Sequence, residues 1–190
     1  MSYRAGFAAA VIAAWGCGNR PASPPAHVEG PSVDRGRYLV VAGGCHDCHS
    51  PKVFTPQGPV PDTTRLLSGF PASERLPPVP RGVIGPTAWG ALSTNDLTAW
   101  VGPWGTSFGA NLTPDGTGLA GWSDTTFIQA MRTGKHMGVG RPILPPMPWP
   151  DFARLTDDDL RSIFAYLRSV RPVANVVPPP IPPAAGGGAQ

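Results

Sequence analysis

Between residues 51 and 110 the chain carries ten Pro and eight Gly in 60 positions, and no long helix survives that density. Proline removes an amide donor and clashes with the preceding turn, while glycine raises the entropic cost of ordering the backbone. Helices must therefore sit before and after this stretch, which is left to turns and short strands. Over all 190 residues, 24 Gly and 26 Pro exclude a coiled coil and a multi-span membrane protein. The hydrophobic share of 41%, with 6 Trp and 7 Phe, supplies a core and excludes complete disorder. A formal charge of +3 is too small and too scattered for a nucleic-acid surface.

The two ends read differently from the middle. Arg4 precedes an apolar run from Ala5 to Gly16, which as a helix spans about 18 Å against a bilayer core of roughly 30 Å. A basic start and a short apolar segment are the pattern of an export signal, not of a membrane span. Ala14-Trp15-Gly16-Cys17 resembles a bacterial lipoprotein cleavage box. Residues 1–17 are thus expected to be a signal peptide and lipobox. Lipid on Cys17 would anchor the chain to a membrane surface. Residues 18–31 have the composition of a Pro-rich linker, with His27 solvated inside it. Residues 173–190, with Pro178-Pro179-Pro180 and Gly186-Gly187-Gly188, read as a disordered Pro/Gly tail. The compact domain is then residues 32–172, with 51–110 as an insertion-like region.

Three helices are expected in it. Asp34 to Ala42 closes at Gly43-Gly44, and Ser123 caps a helix running to Thr133 before Gly134. Thr156-Asp157-Asp158-Asp159 opens a third helix that spaces Leu160, Ile163, Phe164 and Leu167 along one face. The aspartates are explained by the positive end of that helix, not by a metal patch. Inside the Pro/Gly region, Thr87 to Ser93 and Leu97 to Gly102 are spaced to pair as a hairpin. The fold class expected is mostly α, with a Pro/Gly-rich insertion and a short β-hairpin.

Chemistry concentrates in Cys45-His46-Asp47-Cys48-His49, a C-x-x-C-H pattern. Two thiols three positions apart on one turn can add to both vinyl groups of one porphyrin. His49, the next residue, is then held beneath the iron as an axial ligand. A zinc site lacks a second Cys/His pair to complete four ligands, and a thioredoxin-like dithiol lacks its βαβ context. One motif means one covalent c-type haem, with His46 as a spacer facing solvent. Such attachment happens outside the cytoplasm, in agreement with the export signal.

The sixth ligand separates electron transfer from catalysis. Met131, His136, Met137 and Met147 are the candidates downstream. Met131 fits the apolar face of its helix and reads as core. His136 and Met137 lie in a Gly-rich run, whereas Met147 lies in Pro145-Pro146-Met147-Pro148-Trp149-Pro150, stiff enough to hold a thioether against iron. Met147 is the preferred ligand, with Met137, His136 and an open site as alternatives. Trp89, Trp100 and Trp104 are read as an apolar layer over one haem edge or as a docking surface. Arg141, Asn111 and the indoles are candidate partners of a haem propionate.

Gly36-Arg-Tyr-Leu39, Gly44-Cys45-His-Asp-Cys-His49, Asn111-Leu-Thr-Pro-Asp115, Gly121-Trp-Ser-Asp124, Gly140-Arg-Pro, Pro145-Pro-Met-Pro-Trp149 and Ile163-Phe-Ala-Tyr-Leu167 resemble segments of one family. It is the monohaem, His/Met-ligated cytochromes c of the bacterial periplasm, and in particular the cytochrome subunits that accept electrons from periplasmic dehydrogenases. The resemblance implies Cys45 and Cys48 as thioether links, His49 proximal and Met147 distal. It also implies first and last helices crossing around the haem, with Gly36 against the Phe164 to Leu167 face. The long gap from His49 to Met147 departs from a minimal domain of this type, and such subunits often carry more than one haem. The function implied is one-electron transport by a carrier with no catalytic residue of its own. Its partners would be a donor dehydrogenase and an acceptor oxidase or another cytochrome, at a periplasmic location. The rivals are a peroxidase-like haem enzyme or gas sensor with an open sixth position, and a structural role with haem as a folding staple.

Overall fold

The computed structural model describes residues 30–85 and 87–183. The signal segment, Cys17, His27 and most of the linker lie outside the described residues, as does the end of the tail from 184 onward.

Helix α1 (Val33–Ala42) begins at Ser32, whose hydroxyl accepts from the Arg35 amide at 3.1 Å. Helix α3 (Asp124–Thr133) begins at Ser123 in the same way and stops at Gly134, which takes a left-handed φ of 63°. Helix α5 (Asp157–Ser169) begins at Thr156, which accepts from the Asp159 amide at 3.1 Å, and its first turn carries three aspartates. These side chains satisfy amides that have no acceptor inside the helix. Between the long helices lie two short ones, α2 (Cys45–His49) and α4 (Trp149–Phe152).

Helix α1 packs on α5 through Gly36: a Cβ there would stand 1.9 Å from the Ser162 carbonyl oxygen and 2.8 Å from Tyr166 Cβ. Only glycine admits that approach. The contact falls at Ser162 and Tyr166, on the turn before and within the expected face. Ser162 also accepts the Ser32 amide at 3.1 Å, and Arg35 pairs with Asp159 at 2.9 Å. Val40, Phe127, Ala130, Met131, Leu160, Ile163, Phe164 and Leu167 meet as a buried cluster, joined by Leu67 and Leu119 from outside the helices. Met131 is core, as its spacing implies.

The Pro/Gly region forms two antiparallel sheets. Strand β1 (Lys52–Thr55) pairs with β2 (Gly58–Pro61), and β4 (Ala99–Gly102) lies between β3 (Leu92–Ser93) and β5 (Gly105–Phe108). This corrects the expectation of a mostly α fold with one hairpin. The described residues are 29% helical and 15% strand. Residues 51–110 are too large a share of the domain, and too rich in helix breakers, for the helices to dominate. The pairing expected from Thr87 onward is confined to Leu92 and Ser93 opposite Val101 and Trp100, and β5 adds a strand that periodicity did not reveal.

The C-terminal run also departs from expectation. Up to Pro183 it lies along the domain. Asn175 Nδ2 donates to the carbonyls of Ser68 at 2.7 Å and Phe70 at 2.9 Å, its Oδ1 accepts the Ala72 amide at 2.9 Å, and Ile181 pairs with Thr106. A polyproline composition leaves carbonyls and isolated amides free to dock, so it does not by itself mean a loose tail. Among the described residues no helix is long and apolar enough to cross a membrane.

Candidate functional site

The five-residue helix α2 places Cys45, Cys48 and His49 on a single turn. Gly44 opens it at a φ of 64°, and Asp47 donates its amide to the Gly44 carbonyl at 2.9 Å. Both thiols are free and half-buried. Burial pushes the Cys45 thiol up to about 11, with the Asp47 and Cys48 charges adding to it. Burial likewise pushes the Cys48 thiol up. Cys45 also packs against the hydrophobic core, which ties the turn to the helical half.

His49 is fixed by a main-chain contact 61 positions away: its Nδ1 lies 2.8 Å from the carbonyl oxygen of Ala110. A carbonyl can only accept, so Nδ1 carries the proton and Nε2 keeps its lone pair. Burial pushes the imidazole's pKa down and so favours the neutral ring, against the opposing pull of that carbonyl. A neutral imidazole with an oriented Nδ1–H is the form that ligates a metal through Nε2. Two thiols on one turn beside such a ring fit a covalently held haem, with Cys45, Cys48 and His49 as the residues that would hold it.

The Pro/Gly region builds the seat for this turn. A Cβ on Gly109 would stand 2.0 Å from the Cys48 carbonyl oxygen, and the Gly109 amide donates to Thr98 at 2.7 Å. The buried Ser50 hydroxyl accepts the Leu67 amide at 2.9 Å and meets His46 Nδ1 at 2.9 Å. His46 is therefore half-buried and bonded, not a spacer facing solvent. The Gly69 amide donates to the His49 carbonyl at 2.8 Å. Lys52 Nζ donates to the carbonyls of His46, Asp47 and Ser50.

Met147 is half-buried and packs against the hydrophobic core, as Cys45 does. Its loop is fastened to β5: Ser107 Oγ donates to the Pro145 carbonyl at 2.5 Å and accepts from the Trp104 indole at 3.2 Å. Helix α2 and the Met147 loop are thus held by one stretch, residues 107–110. Met137 is 42% exposed at a left-handed φ of 55°. His136 is exposed, with its ring edge-on to Trp122 at 5.1 Å.

The candidate propionate partners divide. Asn111 is buried and saturated: Nδ2 donates to Val173 at 2.8 Å and Thr117 at 3.0 Å, and Oδ1 accepts from the Thr113 amide and hydroxyl. Its bonds are structural. The Trp100 indole donates to Leu97 at 2.8 Å, Trp89 is 66% exposed, and Arg141 Nη1 reaches the Pro142 carbonyl at 3.3 Å. Sequence reasoning missed Ala110, Ser107 and Lys52. Only Lys52 carries a signal, a cation just past a short helix where free carbonyls collect.

No protein-family model matches the chain. Over 157 residues, 81% of the chain, it is 29% identical to the fructose dehydrogenase cytochrome subunit of Gluconobacter japonicus, covering 25% of that protein. Over 144 residues, 75% of the chain, it is 31% identical to the gluconate 2-dehydrogenase cytochrome c subunit of Pantoea cypripedii, covering 24% of it. Over 74 residues, 38% of the chain, it is 40% identical to the cytochrome c subunit of alcohol dehydrogenase (quinone) of Gluconobacter oxydans, covering 15% of it. The chain spans a quarter or less of the length of each of these relatives. At modest identity it resembles cytochrome c subunits of dehydrogenases.

Proposed function

We propose that this chain is a one-electron carrier with one c-type haem, bound covalently through Cys45 and Cys48 and ligated by His49 and Met147. The observation that carries the reading is the His49 ring, its Nδ1–H bonded to the Ala110 carbonyl and its Nε2 without a hydrogen-bond partner among the described residues, on the same turn as two free thiols. When bound, the haem supplies a ferrous/ferric couple. The chain's residues do the rest. Cys45 and Cys48 keep the group attached, the Ala110 carbonyl orients His49, and the Ser107 hydroxyl holds the Met147 loop. Fixed ligands keep structural rearrangement small between oxidation states, which favours fast electron exchange over binding of an exogenous ligand. A thioether ligand stabilises the reduced state and raises the potential.

The likeness to dehydrogenase cytochrome subunits supports a dehydrogenase as electron donor, with an oxidase or another cytochrome as acceptor. Export by residues 1–17 and a lipid on Cys17 would place the carrier at the outer face of a membrane. The exported protein is expected to keep its pigment through acid extraction and to show the far-red sulfur-to-iron charge-transfer band when oxidised. Met147→Ala removes that band and Met137→Ala leaves it. A colourless product, or a band lost in Met137→Ala instead, defeats the assignment.

A further inference from the structure

Lys52 lies three positions beyond His49, at the start of β1, and its side chain turns back under α2. Nζ donates to the carbonyls of His46 at 2.8 Å, Asp47 at 2.9 Å and Ser50 at 2.5 Å. An ammonium has three N–H donors, so all of them go to main-chain oxygens around one turn. A helix of five residues leaves its last carbonyls without amides to receive, and their partial negative charge gathers at the end where His49 sits. The ion pairs among the described residues do not include Lys52. Burial pushes its pKa down, while Asp96 and Asp47 act on it at longer range to favour its charge.

We infer that Lys52 is the positioning and potential-setting residue of this centre: it fixes the attachment turn by three main-chain carbonyls and keeps a positive charge beside His49. The inference rests on the haem-carrier reading above. Its hydrogen bonds hold the turn, while its charge opposes the extra positive charge of the oxidised iron and so favours the reduced form. Because the ammonium is partly buried, salt screens it less than it would a surface lysine.

The test uses the full exported protein with its haem, comparing native, K52M, K52Q and K52R by spectroelectrochemical titration at constant ionic strength. At a fixed poise, K52M and K52Q are expected to lower the ferrous-to-ferric ratio by roughly three- to tenfold, tenfold being about 59 mV for one electron. K52R keeps the charge and is expected to stay within about twofold of native, even where its melting temperature falls. That split distinguishes a field effect from lost packing. An unchanged ratio in both neutral variants overturns the inference. If the neutral variants fail to acquire haem while K52R succeeds, the anchoring half stands. If all three fail alike, Lys52 is a folding residue and the inference falls. A native protein without covalent pigment instead defeats the haem-carrier reading itself, before any variant is compared.

Discussion

Helix α5 and residues 51–110 satisfy their backbones by opposite means. In α5 the amides find acceptors four positions back, and one side-chain cap at Thr156 settles the start. In the Pro/Gly region the bonds reach across the chain: Gly69 to His49, Phe70 to Gly109, Gly109 to Thr98, Leu112 to Leu67. The helical half closes its backbone bonds locally and needs packing only to bury its apolar faces, whereas the irregular half is defined by what it touches. It also builds the main-chain seat of the α2 turn, while Cys45 ties that turn to the helical core. A segment that reads as an insertion is the seat of the site, because short strands and turns can bring carbonyls close where a helix would consume them.

Leu67 joins the two halves. It comes from the Pro/Gly region, is fully buried in the helical core, and adopts a left-handed φ of 60°. Leu67→Ala is expected to cost about 2–5 kcal/mol in denaturant unfolding, as for other buried leucines. A loss below about 1 kcal/mol would show that the two halves are energetically separate. Next come the two tight glycines. Gly36→Ala and Gly109→Ala each force a Cβ into a main-chain carbonyl, at about 1–3 kcal/mol for overpacking. Calorimetry should find both destabilised, while the yield of covalently pigmented protein falls for Gly109→Ala only. Equal yields would refute the role given to residues 107–110.

Asn111 ties the site to the C-terminal run, so Asn111→Ala is expected to cost about 1–3 kcal/mol through stranded polar groups. Limited proteolysis should then cut in the run beyond Pro172 sooner than in the native chain; unchanged cleavage would mean that Asn175 and the Ile181–Thr106 pairing hold the run without Asn111. The smallest effect concerns Asp62. The Thr64 hydroxyl, then Arg65 and the Thr64 amide, hold its carboxyl down to about 2. Because the folded pKa lies below the unfolded value of about 4, the stabilisation is present above pH 4 and is lost as pH falls through 2. The stability gap between native and Asp62→Asn should close over that window. A gap as large at pH 2 as at pH 6 would assign the effect to shape instead of charge.

The ends of the long helices, the core face of α5 and the C-x-x-C-H turn are legible in the amino-acid order alone. These follow from rules acting within a few residues: caps, periodicity, and the spacing of two thiols. That order did not reveal that the Ala110 carbonyl accepts from His49 Nδ1–H, that Lys52 binds three carbonyls, that Leu67 completes the core, or that the polyproline run folds back. Nor did it reveal the balance of strand to helix. The bonds of His49, Lys52 and Asn175 end on main-chain oxygens, which every residue carries alike, and Leu67 reaches the core by packing against segments distant in sequence, so local patterns do not tell which partner is used. Those partners are set by the fold, which brings distant segments within hydrogen-bond or packing reach.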